Sequence, residues 1–175
     1  GFEEVMLSHF ILSFYNIPFA LLGLWHFREI LKKLGQDHHT ANFLMVCLAT
    51  GTIFWKYVVT DFSEVTQISL LIGAIHSYID RECPRRWIFV SLYLSMLILL
   101  KLVYVIILPP FVFLAIIEGA REKKIFNNLA QGASFLTLAG LFIMTLNWQR
   151  FGNVLESGYG NAQSAFSFNY LQRDF

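Results

Sequence analysis

The run WIFVSLYLSMLILLKLVYVIILPPFVFLAII, Trp87 to Ile117, narrows the folds open to this chain more than any other stretch. A helix needs about 20 apolar residues to cross a bilayer core of about 30 Å. The run is too long for one crossing and too short for two. Pro109 and Pro110 lie toward its C-terminal end. A proline inside a helix removes a backbone hydrogen bond and clashes with the carbonyl four residues back. The pair therefore predicts a kinked or broken helix with two apolar limbs. A helix that is apolar all round belongs in a large core or in lipid.

Composition favours lipid. Charged residues make up 14% of the 175 positions and apolar residues 56%, against about 25% charged in an ordinary soluble domain. The net charge is +1 with no basic stripe, so nothing points to nucleic acid. Cys47 and Cys83 form no metal or disulfide pattern.

Four further apolar segments fit spans: Val5 to Trp25, Thr40 to Val59, Val65 to Ile79, and about Leu129 to Trp148. Within the first, Pro18 predicts a kink, and Asn16 needs a partner inside the protein because lipid offers none. The expected fold is all-α, a polytopic transmembrane helix bundle of about five or six spans. Residues 1–37 supply the first span and a basic linker, 38–155 the membrane core, and 156–175 a polar tail. Lys and Arg mark the cytosolic or matrix-type loops. Arg28, Lys32 and Lys33 follow the first span, and Arg81, Arg85 and Arg86 the third. Arg121, Lys123 and Lys124 share that face only if the long run turns back or crosses twice.

Charged groups inside a membrane face the bundle interior and find partners, and they mark function. Asp61 and Glu64 lie three apart, on one helical face, and Lys101 sits deep in the long run. Lys101 either snorkels to the interface or pairs with Glu64 or Asp61. Asp61 or Ser63 can equally cap a helix, with Glu64 in its first turn. His38 and His39 open the second span. An imidazole there can pass a proton during acyl transfer or serve as an interfacial anchor. His9 and His76 stand alone and read as satisfied core or interface groups. No spacing suggests a metal site. Phe166, Phe168, Tyr170 and Phe175 stud the tail. They suit docking into a partner's groove or folding back on the chain's own helices.

From His38 to about Leu155 the chain resembles the TLC domain of ceramide synthases and the translocating-chain-associated membrane protein. The colinear features are the dihistidine, the segment TDFSEVTQI, a basic residue (Lys101) ahead of Pro109, and the ending LNWQRFGNVL. The resemblance implies about six helices around a cavity for a lipid acyl chain. In ceramide synthases the matching histidines and acids serve acyl transfer from coenzyme A to a sphingoid amine. His38 and His39 match the dihistidine and Asp61 the first acid. Glu64 stands in place of the second aspartate, and Thr60 in place of a histidine.

These departures turn the expectation to a non-catalytic lipid-binding protein, an accessory subunit of a larger membrane complex. Its partners are membrane lipids and other membrane subunits. No cofactor is expected beyond a bound phospholipid or acyl-CoA. Lys101 and Glu64 would be its intramembrane polar residues. An N-acyltransferase using His38, His39, Asp61 and Glu64 is the alternative. A quinone- or haem-associated respiratory anchor is a second, because GAIHSYID places Gly73, His76 and Asp80 as in succinate dehydrogenase anchors. Ser69 stands where those anchors carry a haem-ligating histidine. The mitochondrial inner membrane and the endoplasmic reticulum both stay open, with a lean to the former.

Overall fold

The computed structural model describes residues 2–58 and 63–155, with side chains from residue 14 onward. Asp61, Phe166, Phe168, Tyr170 and Phe175 lie outside the described residues. Among the described residues the chain is all-helical: α1 (Phe2–Lys33), α2 (His38–Gly51), α3 (Phe54–Val58), α4 (Glu64–Ile79), α5 (Arg86–Leu100), a 3-10 helix (Leu102–Ile107), α6 (Leu108–Glu122) and α7 (Ile125–Phe151). They divide into two compact units, Gly1–Thr137 and Leu138–Phe175.

Three segments differ from the sequence expectation, each for a local reason. The basic linker expected after Trp25 is mostly helix, because α1 runs on to Lys33. Lys32 reaches back to Glu29 at 2.9 Å, and Lys32 and Lys33 sit in the last turn, where cations oppose the negative end of the helix dipole. The expected second span is two helices. After Gly51, Thr52 is extended, and its hydroxyl accepts the Phe54 N–H at 3.1 Å, starting α3 afresh. The long run breaks at Lys101, which is extended (φ −155°), eight residues before Pro109. Both prolines fall in the first turn of α6, where a missing N–H costs nothing. Their clash with the preceding turn is avoided because a 3-10 helix, not a continuation of α5, precedes them.

The break reverses the chain. Arg86, at the start of α5, bonds Glu118, near the end of α6, at 2.7 Å, so the two limbs of the long run return to one end. Lys33 and Asp80 meet at 2.8 Å at the loops after α1 and α4.

Packing centres on α1, α4 and α5, with small residues letting backbones approach and polar pairs joining them. Asn16, Ala20, Gly23 and His26 form a buried stripe along α1. Thr66, Ser69, Leu70, Gly73, Ala74 and Ser77 form its counterpart on α4. A methyl group at Gly23 would come within 2.8 Å of Ser69 Cβ, and one at Gly73 within 2.7 Å of Tyr93 Cε1 on α5. Asn16 finds the expected partners. Thr66 Oγ1 donates to its side-chain oxygen at 3.1 Å, and its Nδ2 donates to the Tyr57 carbonyl at 3.4 Å.

Two stretches, Leu102–Glu122 and Ile125–Phe151, are long and apolar enough to cross a membrane. Only 17% and 6% of their most apolar windows are buried, which is unlike the core helix of a soluble protein. Within the second unit Leu138, Leu141, Phe142 and Trp148 are more than half exposed. Such surfaces need lipid or another protein around them. Gly152, at φ +68°, ends α7 in the left-handed conformation that glycine adopts without strain.

Candidate functional site

Two cavities lie within the first unit. The first grows from the buried stripes of α1 and α4. His26 is 3% exposed. Its Nδ1 faces His76 Nδ1 at 2.9 Å, and its Nε2 lies 2.7 Å from the Tyr93 hydroxyl. Facing ring nitrogens hold one proton between them, so a single proton position orders both imidazoles and the phenol. His76 Nε2, at the end of this chain, is buried without a partner. The three side chains line a pocket of about 220 Å³ with Trp25, Ser77, Asp80, Cys83, Arg86 and Phe89. At its rim the Lys33 ammonium bonds the Asp80 carboxylate, which holds Asp80 below the usual carboxylate range and raises Lys33. Among the described residues no three His, Cys, Asp or Glu side chains converge as a metal would require.

The second cavity, about 420 Å³, lies between α5, α6 and the first half of α7. Val90, Leu94, Leu108, Phe111, Ala115, Leu129 and Leu136 supply apolar walls. Tyr78 and Phe111 extend an aromatic side, with Tyr78 5.7 Å from Trp87 and 6.4 Å from Phe111 by ring centres. Val112, Ala133 and Thr137 are exposed, so the cavity opens sideways between α6 and α7. Its volume and lining match small-molecule sites generally. Polar atoms on the wall are few. Ser91 Oγ accepts from the backbone N–H groups of Phe135 and Leu136 at 3.0 and 3.2 Å, and Thr137 Oγ1 donates to the Ala133 carbonyl. Trp87 Nε1 and Asn128 Nδ2 are buried with no partner.

The residues singled out from the sequence lie elsewhere. His38 and His39 are exposed at the start of α2, where Asp37 caps the helix by accepting the His39 and Thr40 N–H groups. His38 Nδ1 is 3.5 Å from Arg28 Nη2. Glu64 is half-buried in the first turn of α4, after Ser63, whose hydroxyl accepts from Gln67 rather than from the helix backbone. Lys101 is exposed at the break. His76 lies in the first pocket, not alone but paired with His26. His26 falls just beyond the expected first span, in the basic linker. The signal for it was the α1 stripe, since residues 16, 20, 23 and 26 recur at helical spacing. Trp87 and Asn128 gave no signal, because a tryptophan at a span end and an asparagine before one look like interfacial residues.

Compared with protein-family models, curated proteins and solved structures, the chain matches none.

Proposed function

We propose that this chain is a non-catalytic lipid-binding integral membrane protein that serves as an accessory subunit of a larger membrane complex. The observation that carries the reading is the apolar cavity of about 420 Å³ opening sideways between α6 and α7, beside outward apolar residues such as Phe113 and Ile116. A chain could enter it from the bilayer without crossing water. The reading takes the bundle as TLC-like with six crossings: α1, α2 with α3, α4, α5, the 3-10 helix with α6, and α7. In that arrangement the three basic loops share one face, as the positive-inside rule asks. The exposed apolar faces of α2, with Phe43 and Val46, and of α7 supply surface for other subunits. The mitochondrial inner membrane suits a subunit best.

Purification in mild detergent, with mass spectrometry of co-eluting proteins and lipids, tests this. Stoichiometric protein partners together with bound lipid are expected. A chain that elutes alone with acyl-CoA or a long-chain amide would replace the reading with the acyltransferase, using His38, His39, Asp61 and Glu64. One observation favours a quinone-associated anchor as a second reading. His76 and Asp80 line a pocket with His26 and Tyr93, and imidazole and phenol groups can hydrogen-bond a quinone carbonyl. A quinone recovered in the extract, and lost in His76→Leu, would support it.

A further inference from the structure

No close contact among the described residues calls for a glycine at Gly132. It lies two turns into α7, where glycine weakens a helix relative to alanine. Among the described residues, a Cβ built on it meets no atom within 4 Å. Gly119, on α6, differs: a Cβ there would come within 2.6 Å of Ile125 Cα. Gly132 lines the apolar cavity of about 420 Å³, so its missing side chain keeps open a volume that the protein itself leaves unfilled. Such volume costs stability when empty. No ionisable side chain lines the cavity, so the part of a ligand that enters it is apolar.

Positive charge gathers at one end of this cavity. Arg86 meets Glu118 at 2.7 Å and Arg81 approaches it at 3.8 Å, so the α4–α5 loop and the α6–α7 turn share that end. Six cations lie on the two connections and their flanks: Arg81, Arg85, Arg86, Arg121, Lys123 and Lys124. Three carboxylates, Glu82, Glu118 and Glu122, oppose them, and Arg86 engages the last two. Arg85, Arg121, Lys123 and Lys124 are exposed and make no ion pair among the described residues. The first turn of α7 holds no acidic residue, so the positive end of its dipole adds to the same field. Lys123 also holds the left-handed conformation, φ 56°, which costs a lysine more than a glycine. The charge and the cavity are one turn apart. The N–H of Asn128, a lining residue, bonds the Lys124 carbonyl at 3.0 Å, and the lining continues to Thr137, about 14 Å further along α7 at 1.5 Å per residue.

We propose that an anionic glycerophospholipid seats between α6 and α7, with its phosphate at Arg121, Lys123 and Lys124 and one acyl chain in the cavity beside Gly132. Basic clusters at the ends of membrane helices receive anionic head groups in this way. The exposed Val112 and Ala133 leave the chain a sideways entry, and the head stays at the turn, outside the uncharged lining. This names the lipid of the lipid-binding reading and rests on it. A free phosphate ester shares the head-group chemistry but has nothing to fill the cavity.

The test is native mass spectrometry of the detergent-purified protein titrated with didecanoyl phosphatidylglycerol, didecanoyl phosphatidylcholine and glycerol phosphate. Phosphatidylglycerol is expected to bind about tenfold more tightly than phosphatidylcholine, and glycerol phosphate far more weakly than either. Changing Arg121, Lys123 and Lys124 together to Gln should bring that ratio toward one and leave phosphatidylcholine binding in place. Lys32→Gln, which removes a cation already held by Glu29 at 2.9 Å, should leave the ratio unchanged. Gly132→Leu should weaken both lipids alike, by about tenfold, through the loss of apolar volume. The triple variant alters only exposed side chains, so it decides the head group even if Gly132→Leu fails to fold. A ratio of one in the natural chain, or the same fall in the ratio for Lys32→Gln as for the triple variant, overturns the head-group assignment alone. Glycerol phosphate binding as tightly as phosphatidylglycerol overturns the lipid as the source of the phosphate. Binding of neither lipid overturns the lipid-binding reading as well.

Discussion

Arg86→Met should be among the most destabilising single changes in this chain. The Arg86 side chain is 7% exposed and Glu118 10%, and their charged atoms meet at 2.7 Å. The second arm, to Glu122 at 3.3 Å, ends on a carboxylate that is 48% exposed; solvated pairs of that kind contribute under about 1 kcal/mol. The cost of the substitution therefore comes from Glu118, left buried without its partner, and breaking such a pair costs about 3–5 kcal/mol. Arg81 lies 3.8 Å from the other Glu118 oxygen but is 77% exposed. It can cover part of the stranded charge, which places the expected loss near the lower bound, about 3 kcal/mol. Arg86→Met with Glu118→Leu removes both charges and keeps the packing, so the double variant should return to within about 1 kcal/mol of the natural chain. Reversible unfolding in mixed micelles, read across the full double-mutant cycle, measures all four states. A loss under about 1 kcal/mol for Arg86→Met, or a double variant as unstable as the sum of the singles, would refute the account.

Asn128→Leu should stabilise the ligand-free protein by about 1–3 kcal/mol in the same assay, because it removes a buried donor that has no partner; a loss of stability would mean that the amide is satisfied. Gly73→Val places a side chain where a Cβ already lies 2.7 Å from Tyr93 Cε1, and should cost about 1–3 kcal/mol through overpacking, with Gly73→Ala costing less. The Lys33–Asp80 pair should make stability depend on pH at both extremes. The folded Asp80 pKa is depressed, so its contribution is complete above its ordinary value of 3.8 and is lost as pH falls through the folded value. The folded Lys33 pKa is raised, so its contribution is complete below 10.5 and is lost as pH rises through the folded value. Asp80→Asn should flatten both limbs, and an unchanged pH profile in that variant would refute the linkage.

How far the sequence could be read depended on whether a signal was local. The α4 and α7 segments were legible because their apolar runs are continuous, and α4 begins within one residue of the expected start. The partner demanded by Asn16 was legible too, since an amide in an apolar run is costly to bury unpaired. Where the long run would break was not. Prolines forbid a helix through themselves, but they do not say how far upstream the chain must leave it, and the chain leaves it at Lys101. The second apolar segment reads as continuous because it holds no proline, and the cost of one glycine in a helix, about 1 kcal/mol, is often overridden by packing. The histidine pair was hidden for a different reason. His26 and His76 lie fifty residues apart, and each alone resembles an ordinary interfacial residue. Only the register of α1 against α4, fixed by Gly23 on Ser69, brings their rings together.

That register also explains why the two cavities differ in kind. Where α1, α4 and α5 meet, the buried polar groups pair across helices: Asn16 with Thr66, and His26 with His76 and Tyr93. These hydrogen bonds and the close approach of small residues join the three helices. The space left between them is small and bordered by titratable side chains. Around α6 and the start of α7 the contacts are of another type. Gly119 sets the turn tightly against Ile125, and Arg86–Glu118 ties the same end, while Leu94, Leu108 and Leu136 stand apart around open volume. An apolar void in a protein core costs stability in proportion to its size, and an unpaired N–H on its wall adds to that cost. An apolar chain filling the void would offset the first of these costs.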